Sequence, residues 1–95
     1  MSYHVILREF SCRVHGVHSL KEKRSLVQSF KMRVRNRWNL SIAEVDYQDQ
    51  WQMTTLAIVG IGNNKQKVEQ ELDRAAHLLE QVAQLEIISD EITLL

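Results

Sequence analysis

Apolar residues recur at every second position in four segments of the 95-residue chain, and at helical spacing in two others. The order in which these two periods alternate constrains the fold more than any other feature of the sequence. Strand periodicity covers residues 3–15, 40–47, 51–61 and 86–94, and helical periodicity covers about 20–38 and 65–83. The predicted order is strand–helix–strand–strand–helix–strand, the split βαβ plan of ferredoxin-like domains.

Local signals support both predicted helices. Ser19 and Glu22 have the spacing of a capping box, in which a hydroxyl and a carboxylate satisfy free backbone N–H groups where a helix begins. Gly16 ends the first strand, and Asn64 is suited to cap the second helix. The predicted buried stripes are Leu20, Val27, Phe30, Val34 and Trp38 in the first helix, and Val68, Leu72, Ala75, Leu79 and Val82 in the second.

The predicted topology is an α+β sandwich. Right-handed crossovers place both helices on one face of a four-stranded antiparallel sheet, with the first and third strands in the centre. In the last strand, Ile88, Ile92 and Leu94 are predicted to share a face, and Val5 and Leu7 give the first strand a second apolar face. Because the face without helices then carries apolar side chains, we expect a homodimer, formed through that face or through the edge of the second strand.

The length predicts one domain, residues 1–95, which the order of elements makes ferredoxin-like, and we expect it in the cytoplasm. No apolar run reaches 18 residues, so no segment is predicted to span a membrane. The first residues lack the basic-then-apolar layout of a signal peptide. Cys12 is the one cysteine, which excludes an internal disulfide and is typical of a reduced compartment.

Charge is divided unevenly along the chain, although the formal net charge is zero. Residues 1–40 hold nine Lys and Arg and two acids, a net charge of +7, and residues 41–95 hold three Lys and Arg and ten acids, a net charge of −7. This division is compatible with an anionic partner for the first half. It is equally compatible with attraction between the two halves.

The first helix carries most of the positive charge. Its basic residues are Lys21, Lys23, Arg24, Lys31, Arg33, Arg35 and Arg37. One interpretation is a surface that binds RNA phosphates. The alternative is a solvated face, or a face whose charges pair with the acids of the second helix. Those acids are Glu69, Glu71, Asp73 and Glu80.

Carboxylates also cluster near the hairpin between the second and third strands. Glu44 and Asp46 are two residues apart on a predicted strand and therefore share a face, and Asp49 follows in the turn. Such a cluster can hold Mg²⁺, but no base, nucleophile or cofactor motif accompanies it. We interpret these acids as charges that guard an edge strand, and we name them with Trp51 as candidate residues for contact with another protein.

Two other motifs carry no predicted site. Cys12, His15 and His18 have ligand-type spacing, but positions 12 and 15 of a strand point to opposite faces, and Cys12 is predicted to be a buried apolar residue. Gly60 and Gly62 precede a helix, yet the third glycine of a dinucleotide motif is missing, and a strand-ending turn explains them. We therefore predict no catalytic residue, no metal, no cofactor and no small-molecule substrate.

Several of these motifs together resemble one known family. Ser19-Leu20-Lys21-Glu22-Lys23-Arg24, the basic helix behind it, Asn39-x-Ser41-x-Ala43-Glu44-Val45-Asp46 and Gln48-Asp49-x-Trp51-Gln52 resemble the bacterial YlxP-like proteins, a family of unknown function. The resemblance covers nearly the whole chain. It implies a ferredoxin-like domain in the cytoplasm and an association with translation, and it offers no catalytic residues to carry over.

The leading functional hypothesis is a non-enzymatic protein that binds RNA or the ribosome through the basic first helix. The alternative is a homodimeric protein-interaction module without nucleic-acid binding, which would use its sheet face or the Trp51 hairpin.

Overall fold

A computed structural model describes residues 2–95 and contains six secondary-structure elements. The elements are β1 (His4–Val14), α1 (Leu20–Arg37), β2 (Leu40–Asp46), β3 (Met53–Gly62), α2 (Lys65–Glu80) and β4 (Leu85–Leu94). The predicted order is confirmed. Trp51 and Gln52 lie in the turn before β3 rather than in the strand, and α2 ends at Glu80 rather than at residue 83. Met1, included in the predicted domain, lies outside the described residues.

The sheet has the strand order β2-β3-β1-β4, and all three pairings are antiparallel. The two central strands are β1 and β3, as predicted, so the fold is ferredoxin-like. Phe10 and Leu56 from these strands pack in one core with Phe30 of α1 and Leu79 of α2. Cys12 is also fully buried there, and burial raises the pKa of its thiol to about 11.

The predicted Ser19 cap of α1 is confirmed, and Glu22 reaches back one residue beyond it, to His18 rather than to Ser19. The Ser19 hydroxyl accepts a hydrogen bond from the Glu22 backbone N–H at 3.1 Å, and the Glu22 carboxylate accepts one from the His18 N–H. The helix ends at Arg37, because Trp38 has an extended backbone. The chain then enters β2 at Leu40, so Trp38 and Asn39 alone separate helix and strand.

A β-bulge in β4 corrects one prediction. Ser11 lies opposite Ser89, but Cys12 lies opposite Ile87, so Ile88 is an extra residue without a partner. Residues after the bulge are therefore shifted by one position relative to those before it. Leu85 and Ile87 pair with β1 residues of the helix-covered face, and so do Ile92 and Leu94. Ile88, as the unpaired residue of the bulge, is not part of the alternation that Ile92 and Leu94 follow.

The face of the sheet opposite the helices is open in residues 2–95. Val5 pairs with Ile61 and Leu7 pairs with Val59, so these four side chains form one apolar cluster, the open-face patch. Three of them are half-buried, and Ile61 is 54% exposed. The patch fits the prediction of apolar side chains on this face.

Gly60 fixes how closely α2 approaches the sheet. A Cβ atom at Gly60 would lie 2.9 Å from Leu40 Cδ2 and 2.9 Å from Val68 Cγ1. Gly60 lies inside β3, opposite Leu40 and Ile6, so close packing explains this glycine rather than the strand-ending turn predicted from the sequence. The N-terminal part of α2 is thereby held against β2 and β3.

We predict that Gly60→Ala lowers the free energy of unfolding by about 1–3 kcal/mol, because the added methyl group overpacks a buried site. Gly62→Ala is the matched control, since its Cβ would meet one atom, Val68 Cγ2, at 3.0 Å. Urea unfolding of both variants measures the difference. Equal midpoints for the two would contradict the close-packing explanation.

Candidate nucleic-acid interface

The basic residues of α1 divide into two groups. Lys23 is buried, in line with Val27, Phe30 and Val34. The other six project from the two flanks of the helix, where five are exposed and Lys31 is half-buried. We call these six the basic surface: Lys21, Arg24, Lys31, Arg33, Arg35 and Arg37.

Lys23 is fully buried and its ammonium group has three acceptors. Nζ donates hydrogen bonds to the carbonyl oxygens of Tyr47 and Gln50, both at 2.5 Å, and lies 2.7 Å from Glu44 Oε2. The same carboxylate oxygen accepts a hydrogen bond from the Thr54 hydroxyl at 2.5 Å. The group thus holds the turn between β2 and β3 against α1.

This placement corrects the prediction that Lys23 contacts RNA, because a fully buried ammonium with three acceptors cannot reach a phosphate. The sequence does contain a signal for the burial of Lys23. Lys23 precedes Val27 by four residues and Phe30 by seven, which is the spacing of the buried stripe itself. A lysine in register with an apolar stripe indicates a buried charge that needs a partner from another element.

The carboxylates near the hairpin do not converge. Glu44 lies opposite Leu56 on the helix-covered face, whereas a register shift places Asp46 opposite Thr55, on the other face. The prediction that Glu44 and Asp46 share a face is therefore wrong. Asp46 accepts a hydrogen bond from the Tyr47 backbone N–H at 2.8 Å, and the Asp49 side chain is 96% exposed.

Tyr47 and Trp51 belong to the same turn. Tyr47 has a φ of 61°, a left-handed conformation that is uncommon for a residue other than glycine. Its carbonyl oxygen is one of the acceptors for Lys23, so the buried ammonium stabilises this conformation. The Trp51 side chain is 38% exposed at the end of the turn, which leaves the residue accessible to a partner.

The acids of α2 do not neutralise the basic surface. Asp73 pairs with Arg8 of β1, and Glu71 accepts a hydrogen bond from the Asn39 backbone N–H at 3.3 Å. Glu69 and Glu80 lie near Lys65 and His77 of their own helix. Within residues 2–95, one member of the basic surface has an ion pair: Arg24, whose Nη2 is 3.8 Å from the exposed Asp49.

Besides the Lys23–Glu44 pair, attraction between the two halves of the chain operates through β1. The Arg8 guanidinium binds Asp90 of β4 through two hydrogen bonds of 2.9 and 2.8 Å, and Asp73 of α2 through a third of 2.7 Å. Those hydrogen bonds raise the pKa of Arg8 above its ordinary value. Arg8 therefore ties β1, β4 and α2 together, while five of the six side chains of the basic surface have no ion pair within residues 2–95.

An open groove of about 710 Å³ lies between the end of α1 and the N-terminal part of α2, and we call it the helix-end groove. Four basic side chains line it: Arg35, Arg37, Lys67 and Arg74. The ring of Trp38 and several amide side chains also line it, and Glu71 is its one acid. The groove extends the positive charge of α1 onto α2.

The Cys12, His15 and His18 side chains do not meet. Cys12 is buried, His15 Nε2 lies 2.8 Å from Glu86 Oε1, and His18 lies near Glu22. The hydrogen bond with His15 lowers the pKa of Glu86. Within the described part of the chain, no three His, Cys, Asp or Glu side chains are grouped so as to hold a metal ion.

Comparison with known proteins identifies the family. Residues 5–92 match the family described as "Protein of unknown function (DUF503)". The chain belongs to the DUF503 family. Uncharacterized protein YlxP of Bacillus subtilis (strain 168) is 35% identical over 78 residues, which cover 82% of this chain and 85% of that protein. The predicted resemblance to YlxP-like proteins is confirmed, and no function comes with it.

Solved structures confirm the fold. A structural-genomics protein named YJCS matches with a TM-score of 0.58 and 6% identity, over 94% of this chain and 96% of that one. A C-terminal segment of the alpha subunit of aIF2 from Pyrococcus abyssi matches with a TM-score of 0.54 and 16% identity, over 100% and 51%. SnoaB, a cofactor-independent oxygenase from Streptomyces nogalater, matches with a TM-score of 0.51 and 14% identity, over 100% and 92%. At these identities the likeness shows the fold alone.

No helix in residues 2–95 has the length and apolar character needed to cross a membrane.

We predict that Glu44→Gln lowers the free energy of unfolding by roughly 3 kcal/mol, because it leaves the buried Lys23 charge without its counter-ion. Replacing both partners, Lys23→Met with Glu44→Leu, should recover most of this loss. The control is Glu69→Gln, which removes an exposed pair with a 3.9 Å separation and should cost less than about 1 kcal/mol. Urea unfolding measures all three variants, and similar costs for Glu44→Gln and Glu69→Gln would show that the buried pair does not hold the hairpin.

Proposed function

We propose that this protein is a non-enzymatic RNA-binding protein of the translation apparatus, which contacts phosphate groups through the basic surface of α1. The observation that carries the proposal is the absence of internal neutralisation on that surface. Five of its six side chains have no ion pair within residues 2–95, and the acids of α2 are engaged elsewhere. A cluster of solvated cations without counter-ions attracts a polyanion and releases its bound ions.

The arrangement of charge favours contact with the RNA backbone rather than with base sequence. Lys and Arg side chains along two flanks of one helix can follow successive phosphates, and such contacts depend on the shape of the RNA. The open face of the sheet offers little base stacking, because among residues 2–95 its positions on β1 and β3 carry no aromatic side chain. This mode therefore differs from the aromatic sheet surface of an RNA-recognition motif.

RNA is favoured over other polyanions by the association with translation that the resemblance to YlxP-like proteins implies. The absence of a reaction is part of the same proposal. The hairpin carboxylates are split between two faces, and the buried one is bound to Lys23, so they offer no paired acid and base.

The proposal predicts that Lys21→Glu with Arg33→Glu weakens RNA binding at least about tenfold at low salt, through loss of phosphate contacts. The slope of log affinity against log salt should fall by roughly one to two. Fluorescence anisotropy with labelled ribosomal RNA fragments over a range of salt concentrations measures both quantities.

The matched control is Arg13→Glu with Lys65→Glu, which changes the net charge equally and alters exposed residues outside α1. This variant should retain most of the affinity. Equal losses for the two variants would indicate bulk charge rather than a surface on α1. Failure of the unaltered protein to bind RNA at low salt would refute the proposal.

A second candidate function, a homodimeric interaction module, is favoured by the open-face patch. The four strands have 11, 7, 10 and 10 residues, which at about 3.3 Å per residue and about 4.8 Å between strands give a face of about 600 Å². Two copies packed face to face would therefore bury about 1,200 Å². This area is at the lower limit for a stable specific interface, which is about 1,200 Å². The apolar side chains of the patch would supply the centre of that interface.

This second candidate predicts a mass in solution of twice 11.1 kDa. Ile61→Lys should shift the protein to the monomer, because it places a charge in the apolar centre of the interface. Met32→Lys on α1 is the control, since Met32 is 51% exposed and Ile61 is 54% exposed. Light scattering at micromolar concentration measures the masses, and a monomeric unaltered protein would exclude this dimer.

A further inference from the structure

The helix-end groove combines positive charge with an aromatic ring, a combination that the rest of the basic surface lacks. We propose that the groove holds one nucleotide of single-stranded RNA, with its base against Trp38 and its phosphates between the basic side chains of α1 and α2. The proposal rests on the RNA-binding function proposed above. It adds a class of substrate, single-stranded rather than duplex RNA, and a site at which one unit of it is recognised.

The phosphate side of the site is built from two helices. Arg35 and Arg37 come from the last turn of α1, whereas Lys67 and Arg74 come from α2. None of the four has an ion pair within the described residues, and the first turn of α2 contains no acid. Glu71, the one acid in the groove, is engaged by the Asn39 backbone N–H. Cations that converge from separate elements without counter-ions are suited to bind phosphate groups.

The base side of the site is Trp38. This residue is half-buried and packs against the core, so its ring is held in place and needs little ordering when a ligand binds. The Arg37 guanidinium lies 6.0 Å from the centre of the ring, at the outer limit of a cation–π contact. Indole rings stack with bases of any sequence, because every base has a π face.

Amide side chains complete the lining. Asn36, Asn64 and Gln70 border the groove with Trp38. The amides of Asn36 and Gln70 offer both donors and an acceptor, which is what the edge of a base requires. Asn64 offers its NH₂ donors, since its Oδ1 accepts the Lys67 backbone N–H at 3.1 Å. The groove, at about 710 Å³, is within the range of about 300–1,000 Å³ typical of small-molecule sites.

Duplex RNA cannot use such a site, because its bases are stacked on both faces and paired at their edges. A base reaches an aromatic side chain when the strand is single or locally unpaired. The groove therefore distinguishes single-stranded from duplex RNA, whereas the remainder of the basic surface binds the phosphates of either. The two parts act together on one strand.

Trp38 itself reports occupancy of the groove. In a Trp51→Phe background, Trp38 is the one remaining tryptophan of the chain. We expect short oligoadenylate to quench its fluorescence, and to bind at least about fivefold more tightly than a ribose-phosphate chain of equal length without bases. Blunt duplex RNA of the same length should bind without quenching.

Two charge-matched variants in this background test whether the quenching and the preference for bases arise in the groove. Lys67→Gln with Arg74→Gln removes two cations of the groove, and should abolish both the quenching and the preference for the chain with bases. Lys21→Gln with Arg24→Gln removes two cations outside the groove. It should weaken all three ligands alike and leave full quenching at saturation.

The outcomes separate this proposal from the one on which it rests. Salt-dependent binding without Trp38 quenching, and with equal affinity for chains with and without bases, would overturn the groove while leaving RNA binding by the basic surface intact. Loss of quenching in both charge-matched variants alike would also overturn it. Absence of binding to every ligand at low salt would refute both proposals.

Discussion

The burial of the Lys23 ammonium group is the interaction on which the arrangement of the molecule depends. It joins the first turns of α1 to the turn between β2 and β3, through one carboxylate and two carbonyl oxygens. A buried charge tolerates little displacement, because each acceptor that moves away leaves an unsatisfied donor in a medium of low dielectric constant. The position of α1 over the sheet is therefore fixed at its N-terminal end by geometry, as well as by apolar packing along its length.

The sequence predicts the helices and strands well, but it does not predict the pairing register between two strands. Both helices, the Ser19 cap and the central strands follow from local periodicity and propensity. The bulges at Ile88 and between Glu44 and Asp46 do not, since each is a mismatch between partners that lie far apart in the chain. One such mismatch reverses the faces of all residues beyond it, and that is why the carboxylates predicted to face together are separated.

The candidate site was predictable where it depends on one helix, and not where it depends on contact between distant segments. Charge content identified α1, and its exposed flanks follow from the helical period. Lys23 is the one basic residue of α1 that is buried. The helical period could have identified it, because Lys23 continues the apolar stripe. The contribution of Lys67 and Arg74 to the helix-end groove could not be read from the chain, because it arises where the end of one helix meets the start of the other. Gly60 makes that meeting possible by admitting α2 close to β3.

The strand order gives the molecule an electrostatic polarity that its net charge of zero conceals. Three strand spacings of about 4.8 Å separate β2, which lies beneath α1, from the acidic edge strand β4, a distance of roughly 14 Å. The Debye length at physiological ionic strength is about 8 Å. A polyanion arriving at α1 therefore experiences the cations beside it, while the repulsion from β4 is screened. At low ionic strength the screening is weaker, and the separated charges give the molecule a dipole. This dipole orients α1 toward a polyanionic partner before contact.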